Sequence, residues 1–468
     1  MLRRLLKTVS LVGLLIGWAL PAYAEEAVGG LDTGDTAWLL ISTALVIAMT
    51  VPGLALFYGG LVSQRNILSM LMQCFFVLAL ISVQWVLWGY TLSFGSSVAG
   101  IIGGFDYLGL RGVGAEPIGG ATIPHLGFAM FQMAFAVITV ALITGSFAER
   151  MRFPAFLLFS LLWATLVYNP LAHWVWGGGW LAGYGVLDFA GGTVVHISSG
   201  VSALVAAKVI GRRLGYPERV APPHNLPLTV TGAAMLWIGW FGFNAGSALG
   251  SNGLAAIAFA VTNTSAATAA VVWAFADWVR GGKPTVLGTA TGAVAGLVAI
   301  TPAAGYVSVG SALVIGAVAG LVCYWGVTML KPRWGLDDAL DVFAVHGLGG
   351  IWGALATGIF ASESINPAGA SGLLYGNPAQ LGVQCIGVLA GVALAAVGTF
   401  IILRVVAAVT PLRVSREEEL AGLDRSLHGE AAYNFGFPVA PASPAQAAAT
   451  GLSFAGLGGA ELEQGAHD

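Results

Sequence analysis

Two stretches of this chain carry one pattern: Asp188-Phe-Ala-Gly-Gly-Thr-Val-Val-His196 and Asp338-Ala-Leu-Asp-Val-Phe-Ala-Val-His346. Each opens an apolar run with an aspartate and reaches a histidine eight residues on, and the two pairs stand 150 residues apart. Eight residues of helix rise about 12 Å, and the hydrocarbon core of a bilayer is about 30 Å thick. If the two runs cross a membrane in opposite directions, each histidine arrives near the midplane from its own face. That arrangement predicts an inverted-topology repeat.

The composition around these stretches fits a membrane. A chain of 468 residues could hold about three soluble domains. Hydrophobic residues, however, make up 57% and charged residues only 9%, against roughly 25% charged in soluble proteins. Mean hydropathy is +0.84. So few charges cannot cover a water-exposed surface, which points to an all-α polytopic protein in a lipid bilayer. The net charge of −3 gives no sign of nucleic-acid binding. The 67 glycines lie inside apolar runs without a collagen period, where small residues let helices approach closely. Cys74, Cys323 and Cys385 are odd in number, sit in apolar stretches and have no metal-ligand spacing. They read as small buried residues.

Residues 1–24 read as a cleaved signal peptide. Arg3, Arg4 and Lys7 precede an apolar core from Leu11 to Leu20 and an Ala22-Tyr23-Ala24 cleavage site. Eleven apolar segments follow, near 36–62, 67–95, 124–147, 153–173, 189–210, 227–250, 254–280, 285–302, 306–330, 339–361 and 379–410. An outside start then leaves the C-terminus inside. The loops test this independently. Those expected inside carry Arg65, Arg150, Arg152, Lys208, Arg212, Arg213, Arg219, Arg280, Lys283, Lys331 and Arg333, whereas those outside carry only Arg111. Such an asymmetry is the positive-inside pattern. The eleven-span domain covers 25–413, with pseudo-repeats at about 34–211 and 226–362 and the last span added at about 379–410. Residues 414–434 are charged and read as an ordered cytoplasmic segment. Residues 435–468, rich in Ala, Gly, Ser and Pro, read as a disordered tail.

Ionisable groups inside a membrane usually mark a path for substrate or protons. His196 and His346 are therefore the first site candidates, against the alternative of satisfied buried side chains. Asp188 reads as a helix N-cap that also lends negative potential to an outer vestibule. Phe131 and Phe135, four apart, share a helix face. Trp174 and Trp176 lie on the outer side just after the fourth span, and Trp240, Phe241, Phe243 and Ser247 lie in the outer half of the sixth. Taken singly they read as an interfacial aromatic belt or ordinary core. If they converge, aromatic faces attract a compact cation, and Ser247 accepts a hydrogen bond from its N–H. No carboxylate cage or carbonyl filter for a metal cation is visible. Nor is there a nucleotide-binding fingerprint, so ATP-driven transport is not expected. A pair of opposed intramembrane histidines could also ligate haem.

Several strings together resemble the Amt/Mep/Rh ammonium transporters, in their bacterial Amt branch, over about Gly34 to Asn434. They are Gly53-Leu-Ala-Leu-Phe-Tyr-Gly-Gly-Leu61, Ala148-Glu-Arg150, Trp176-Gly-Gly-Gly179, Asp188 to His196, Trp240-Phe-Gly-Phe-Asn-Ala-Gly-Ser247 and Asp341-Val-Phe-Ala-Val-His-Gly347. The resemblance implies the eleven-helix ammonium transporter fold, with an inverted 5+5 repeat plus one helix, as a homotrimer in the bacterial inner membrane. It implies no enzymatic activity, no cofactor and no metal. It maps an outer ammonium site onto Trp176, Phe131, Phe135 and Ser247, and a phenyl gate onto Phe135 and Phe243. The twin-histidine pore falls on His196 and His346, with Asp188, Trp240 and Thr301 lining or supporting it. Ammonium would lose its proton, ammonia would pass, and the proton would cross separately; methylammonium would serve as an analogue. Residues 422–433 resemble a regulatory C-terminal region, and the resemblance implies a PII-type nitrogen regulatory protein as partner at the inner face, whose basic loops by themselves read as positive-inside topology. A transceptor and a Rh-like gas channel are the alternatives within this resemblance.

Overall fold

The computed structural model describes residues 30–433. The expected signal peptide and the tail from 435 onward lie outside the described residues. Eleven apolar helices form the body: α1 (Thr33–Leu61), α2 (Ile67–Phe94), α3 (His125–Ser146), α4 (Phe153–Gly183), α5 (Gly192–Ile210), α6 (Leu226–Ala245), α7 (Gly253–Gly281), the shorter α8 (Val286–Ile300), α9 (Val309–Arg333), α10 (Phe343–Phe360) and α11 (Pro378–Val409). Two short helices, α12 (Arg416–Ala421) and α13 (Leu423–His428), close the described chain. Between α2 and α3 a hairpin pairs Ser97 with Gly103 and Val98 with Ile102.

Among the described residues, ten of these eleven are long and apolar enough to cross a membrane. The exception is α8, whose 15 residues span only about 22 Å of helix. The reason is local. Pro302 follows Thr301 and cannot continue a helical ladder, so the chain leaves through turns at 301–306. Pro302 then packs against the start of α5. Its carbonyl accepts the Phe189 N–H at 3.1 Å, and a Cβ at Gly192 would lie 2.4 Å from its ring. In α1, Pro52 breaks the ladder in the same way, and Val51 adopts an extended φ of −136° inside the helix.

Helices α7, α8 and α9 pack together, and α5 packs against α10 and α11. The α5–α10 crossing is the closest to the histidines. A Cβ on Gly200 would sit 2.1 Å from the Gly347 nitrogen, and one on Gly350 would sit 3.0 Å from the His196 Cβ. Both Gly200 and Gly350 follow a histidine by four residues. One helical turn past each histidine, therefore, the backbones come into contact.

A polar network ties one end of the bundle together. Arg150 is fully buried and donates to the carbonyls of Gly211, Ala148, Ser146 and Asp337 at 2.6–3.2 Å. Burial pulls its guanidinium down to about 10, which leaves it charged at neutral pH. Arg213 bridges Glu149 at 2.8 Å and Asp337 at 2.7 Å. Burial raises the Glu149 carboxyl, but Arg213 and the donors of Ser63 and Asn66 hold it below the usual range. The C-terminal helices dock here. Glu419 accepts from the Leu214 N–H at 2.7 Å and pairs with Arg413 at 2.7 Å. Helix α2 has no side-chain cap at its own Asn66. Instead Asp424 of α13 accepts the Ser69 N–H at 2.8 Å, and Asn66 accepts the Leu423 N–H at 2.7 Å.

Candidate functional site

His196 and His346 meet in the middle of the bundle. Their Nδ1 atoms lie 3.2 Å apart, and the ring centroids 5.3 Å apart. The meeting follows from the local sequence. Asp188 Oδ1 accepts the N–H groups of Gly191 and Gly192, and its Oδ2 those of Thr193 and Val194, at 2.6–3.1 Å. These are the unpaired donors of the first helical turn. Asp338 heads α10 in the same manner, accepting the Phe343 N–H at 2.7 Å. Each capped turn delivers its histidine to the crossing that the glycines permit.

Aromatic rings stack above the pair. Trp240 lies parallel to His196 at 5.4 Å, and its indole N–H donates to Thr301 Oγ1 at 2.9 Å. Phe243 stacks on Phe135 at 4.2 Å. Phe135 and Trp176 meet at a steep angle with ring centroids 5.9 Å apart, and Phe131 and Phe135 do the same at 4.9 Å. The Trp176 indole N–H donates to the Asp188 carbonyl at 2.8 Å, which joins this ring stack to the cap of α5.

Three spaces follow one another along this axis. A cavity of about 330 Å³ on the Trp176 side is lined by Trp176, Ser247, Phe135, Phe94, Phe128 and Gln132, among others. Beyond the phenyl stack lies a void of only about 10 Å³, bordered by Phe243, Trp240, His196, His346 and apolar side chains such as Leu54 and Ile138. That is room for about one water, and no carboxylate borders it. On the α13 side a cavity of about 320 Å³ begins at His346 and reaches Tyr58, Arg213, Asp277 and Asp341. A void this small between histidines in direct contact has no room for a macrocycle, so the haem-ligand reading does not fit. Among the described residues no cluster of His, Cys, Asp or Glu could hold a metal ion.

Residues 37–433 match the Ammonium Transporter Family. The chain belongs to that family. It is 53% identical to the ammonium transporter of Bacillus subtilis (strain 168), over 86% of this chain and 99% of the other. It is 50% identical to the ammonium transporter Amt1 of Archaeoglobus fulgidus, over 86% and 100%. Among solved structures, Candida albicans Mep2 superposes with a TM-score of 0.79 at 35% identity, covering 83% of this chain and 88% of that one. A protein described as "Sensor Amt Protein" superposes with a TM-score of 0.78 at 29% identity, covering 84% and 97%.

In this ammonium transporter the residues expected to share a site fall into two groups. Trp176, Ser247 and Phe135 border the first cavity. Phe131 is fully buried behind Phe135, and Ser247 donates its hydroxyl to the Phe243 carbonyl at 2.8 Å, leaving its oxygen free to accept. Thr301 is buried and holds Trp240 rather than bordering the void. Phe94, Phe128 and Gln132 also line the transporter's first cavity and were not anticipated. Gln132, whose buried Oε1 has no partner, carried a signal: it is an amide inside the apolar run of α3.

Proposed function

We propose that the transporter recruits NH4+ in the cavity at Trp176, removes its proton there or beneath the phenyl stack, and conducts NH3 through the histidine constriction. The proton crosses separately, so uptake carries charge. The observation that carries this reading is the sealing of the His196–His346 pair between two cavities by a void of about 10 Å³. A bare cation in such a place costs several kcal/mol, and no acid borders the void to offset that cost. Neutral ammonia avoids most of the cost. Potassium has the same charge but no proton to give up, and is excluded on the same ground.

In this reading α8 counts as the eleventh crossing, the Trp176 cavity opens outside, and the α13 side faces the cytoplasm of a bacterium. The protein works as a homotrimer with one pore per subunit in the inner membrane. A PII-type trimer binds the cytoplasmic face. The test is solid-supported-membrane electrophysiology on reconstituted protein. Ammonium pulses should give saturable currents, methylammonium smaller ones, and potassium none. Equal currents from potassium, or growth on low ammonium not restored in a cell lacking its own transporters despite verified insertion, would overturn the reading.

A further inference from the structure

The aspartates that head α5 and α10 hold matching positions but are unequally satisfied. Both oxygens of Asp188 are taken by four backbone N–H groups. Asp338 Oδ2 accepts the Phe343 N–H and the Val342 N–H also favours the carboxylate, while Oδ1 is buried without a hydrogen bond of its own. An ionised oxygen left bare away from water is costly, whereas a proton on Oδ1 removes the charge and most of that cost.

The surrounding charges are committed elsewhere. From α9, Lys331 Nζ donates to Asp341 Oδ1 at 2.5 Å and to the backbone carbonyl of Asp338 at 3.1 Å. Asp341 is therefore engaged by Lys331. Asp337 is taken by Arg213, and Arg150 by four carbonyls. From α1, the Tyr58 hydroxyl donates to the Leu142 carbonyl at 3.1 Å. Ala339, Leu340, Asp341 and His346 line the inner cavity, so Asp338 stands directly behind its wall. Burial pushes the Asp338 carboxyl up to about 6 against the pull of Lys331, within reach of physiological pH.

We propose that Asp338 receives the proton leaving the histidine pair on the inner side of the constriction. The inference rests on the proton-relay reading above. Asp338 Oδ1 is closed off from the cavity, so the step requires one water to pass the 339–341 wall: a histidinium N–H at His346 breaks as that water takes the proton, and an O–H forms at Asp338 Oδ1. The acid then returns its proton to cavity water and is a carboxylate again. No electrons change hands, and Lys331 keeps the carboxylate from being too weak an acid to let go.

The experiment measures charge carried per ammonia delivered, from currents and lumenal alkalinisation in the same proteoliposomes, between about pH 5 and 8. The wild-type ratio should fall as pH drops through about 6, where Asp338 stays protonated and accepts nothing. Asp338→Asn keeps an oxygen for the Phe343 N–H but cannot titrate. Its ratio should fall by about tenfold or more and lose the acid limb. Asp338→Glu retains a titrating group and should keep the current with a displaced limb, which preserves the test should the amide variant fold poorly. A wild-type ratio and pH profile in Asp338→Asn, or in Asp338→Glu if only that variant folds, would overturn the role of Asp338 alone. Ammonia delivery by the wild type with no charge would overturn the relay reading and this inference together.

Discussion

Across 150 residues of sequence, His346 Nδ1 stands 3.2 Å from His196 Nδ1. With both rings neutral, one Nδ1 donates and the other accepts. The two Nε2 atoms are then unlike: one carries a proton and the other is bare. A proton arriving at one end and leaving at the other inverts that arrangement without moving either ring. The Nε2 of His196 is buried with no protein partner, as a contact reserved for a passing molecule requires.

Replacing either histidine by alanine should therefore change conduction more than folding. His196→Ala and His346→Ala should reduce ammonium current by about tenfold or more or admit potassium, with normal yield of assembled protein. Currents and selectivity like those of the wild type in both variants would remove the relay.

Trp176 borders the first cavity and is braced through its indole N–H on the Asp188 carbonyl. Cation–π attraction is worth about 0.5–2 kcal/mol, or roughly 2- to 30-fold in affinity. Trp176→Leu should raise the ammonium concentration for half-maximal current by that factor. An unchanged concentration dependence would make Trp176 part of an interfacial belt.

The α5–α10 crossing tolerates no side chain at Gly200, where a Cβ would fall 2.1 Å from one backbone nitrogen and 2.4 Å from the neighbouring Cα. Backbone cannot yield as a flexible side chain does. Gly200→Ala should destabilise the protein by about 3 kcal/mol or more, read as a lower Tm or lost yield in detergent. Gly382→Ala, where nothing lies within 4 Å, is the control and should leave the Tm unmoved.

Docking of α13 should depend on pH. His428 packs edge-on against Phe153 of α4 at 5.4 Å, and its Nε2 is buried without a partner. Burial lowers its pKa below the ordinary histidine value, against the opposing pull of Asp424 and Glu430. The docked state thus holds fewer protons than the free segment. Docking is at full strength above about pH 6.5 and weakens as pH falls below it. Burial raises the Asp424 carboxyl, a term that acts nearer the acid range and in the opposite sense. Backbone amide exchange in 416–433 should be faster at pH 5.5 than at 7.5, after correction for intrinsic rates, and His428→Gln should abolish the difference. Equal protection at both pH values would refute the dependence.

Much of this was legible because the chemistry is sparse. In a chain with few charges, an aspartate and a histidine repeated in step stand out, and Asp188 caps the helix that carries His196. The convergence of Phe135, Phe243 and Trp176 came from the family resemblance, since each alone could have been core. Three things escaped. The shortness of α8 depends on one proline, Pro302, which a hydropathy window averages away. Phe131 is buried behind the residues that border the outer space, a distinction that spacing cannot make. The bare oxygen of Asp338 is invisible in sequence because the pattern around it matches that of Asp188; only the count of donors in space separates them.

The cap that α13 places on α2 bears on how the chain is made. Ser69 and its acceptor Asp424 are 355 residues apart. At about 5–20 residues per second of synthesis, the start of α2 waits roughly 20–70 s before the ribosome supplies its last hydrogen-bond acceptor. During that interval its first turn must rely on water or lipid headgroups at the membrane surface. A chain terminated early by a nonsense codon beyond α11 would insert its apolar helices and still present that bare turn, a difference that a quality-control protease can read.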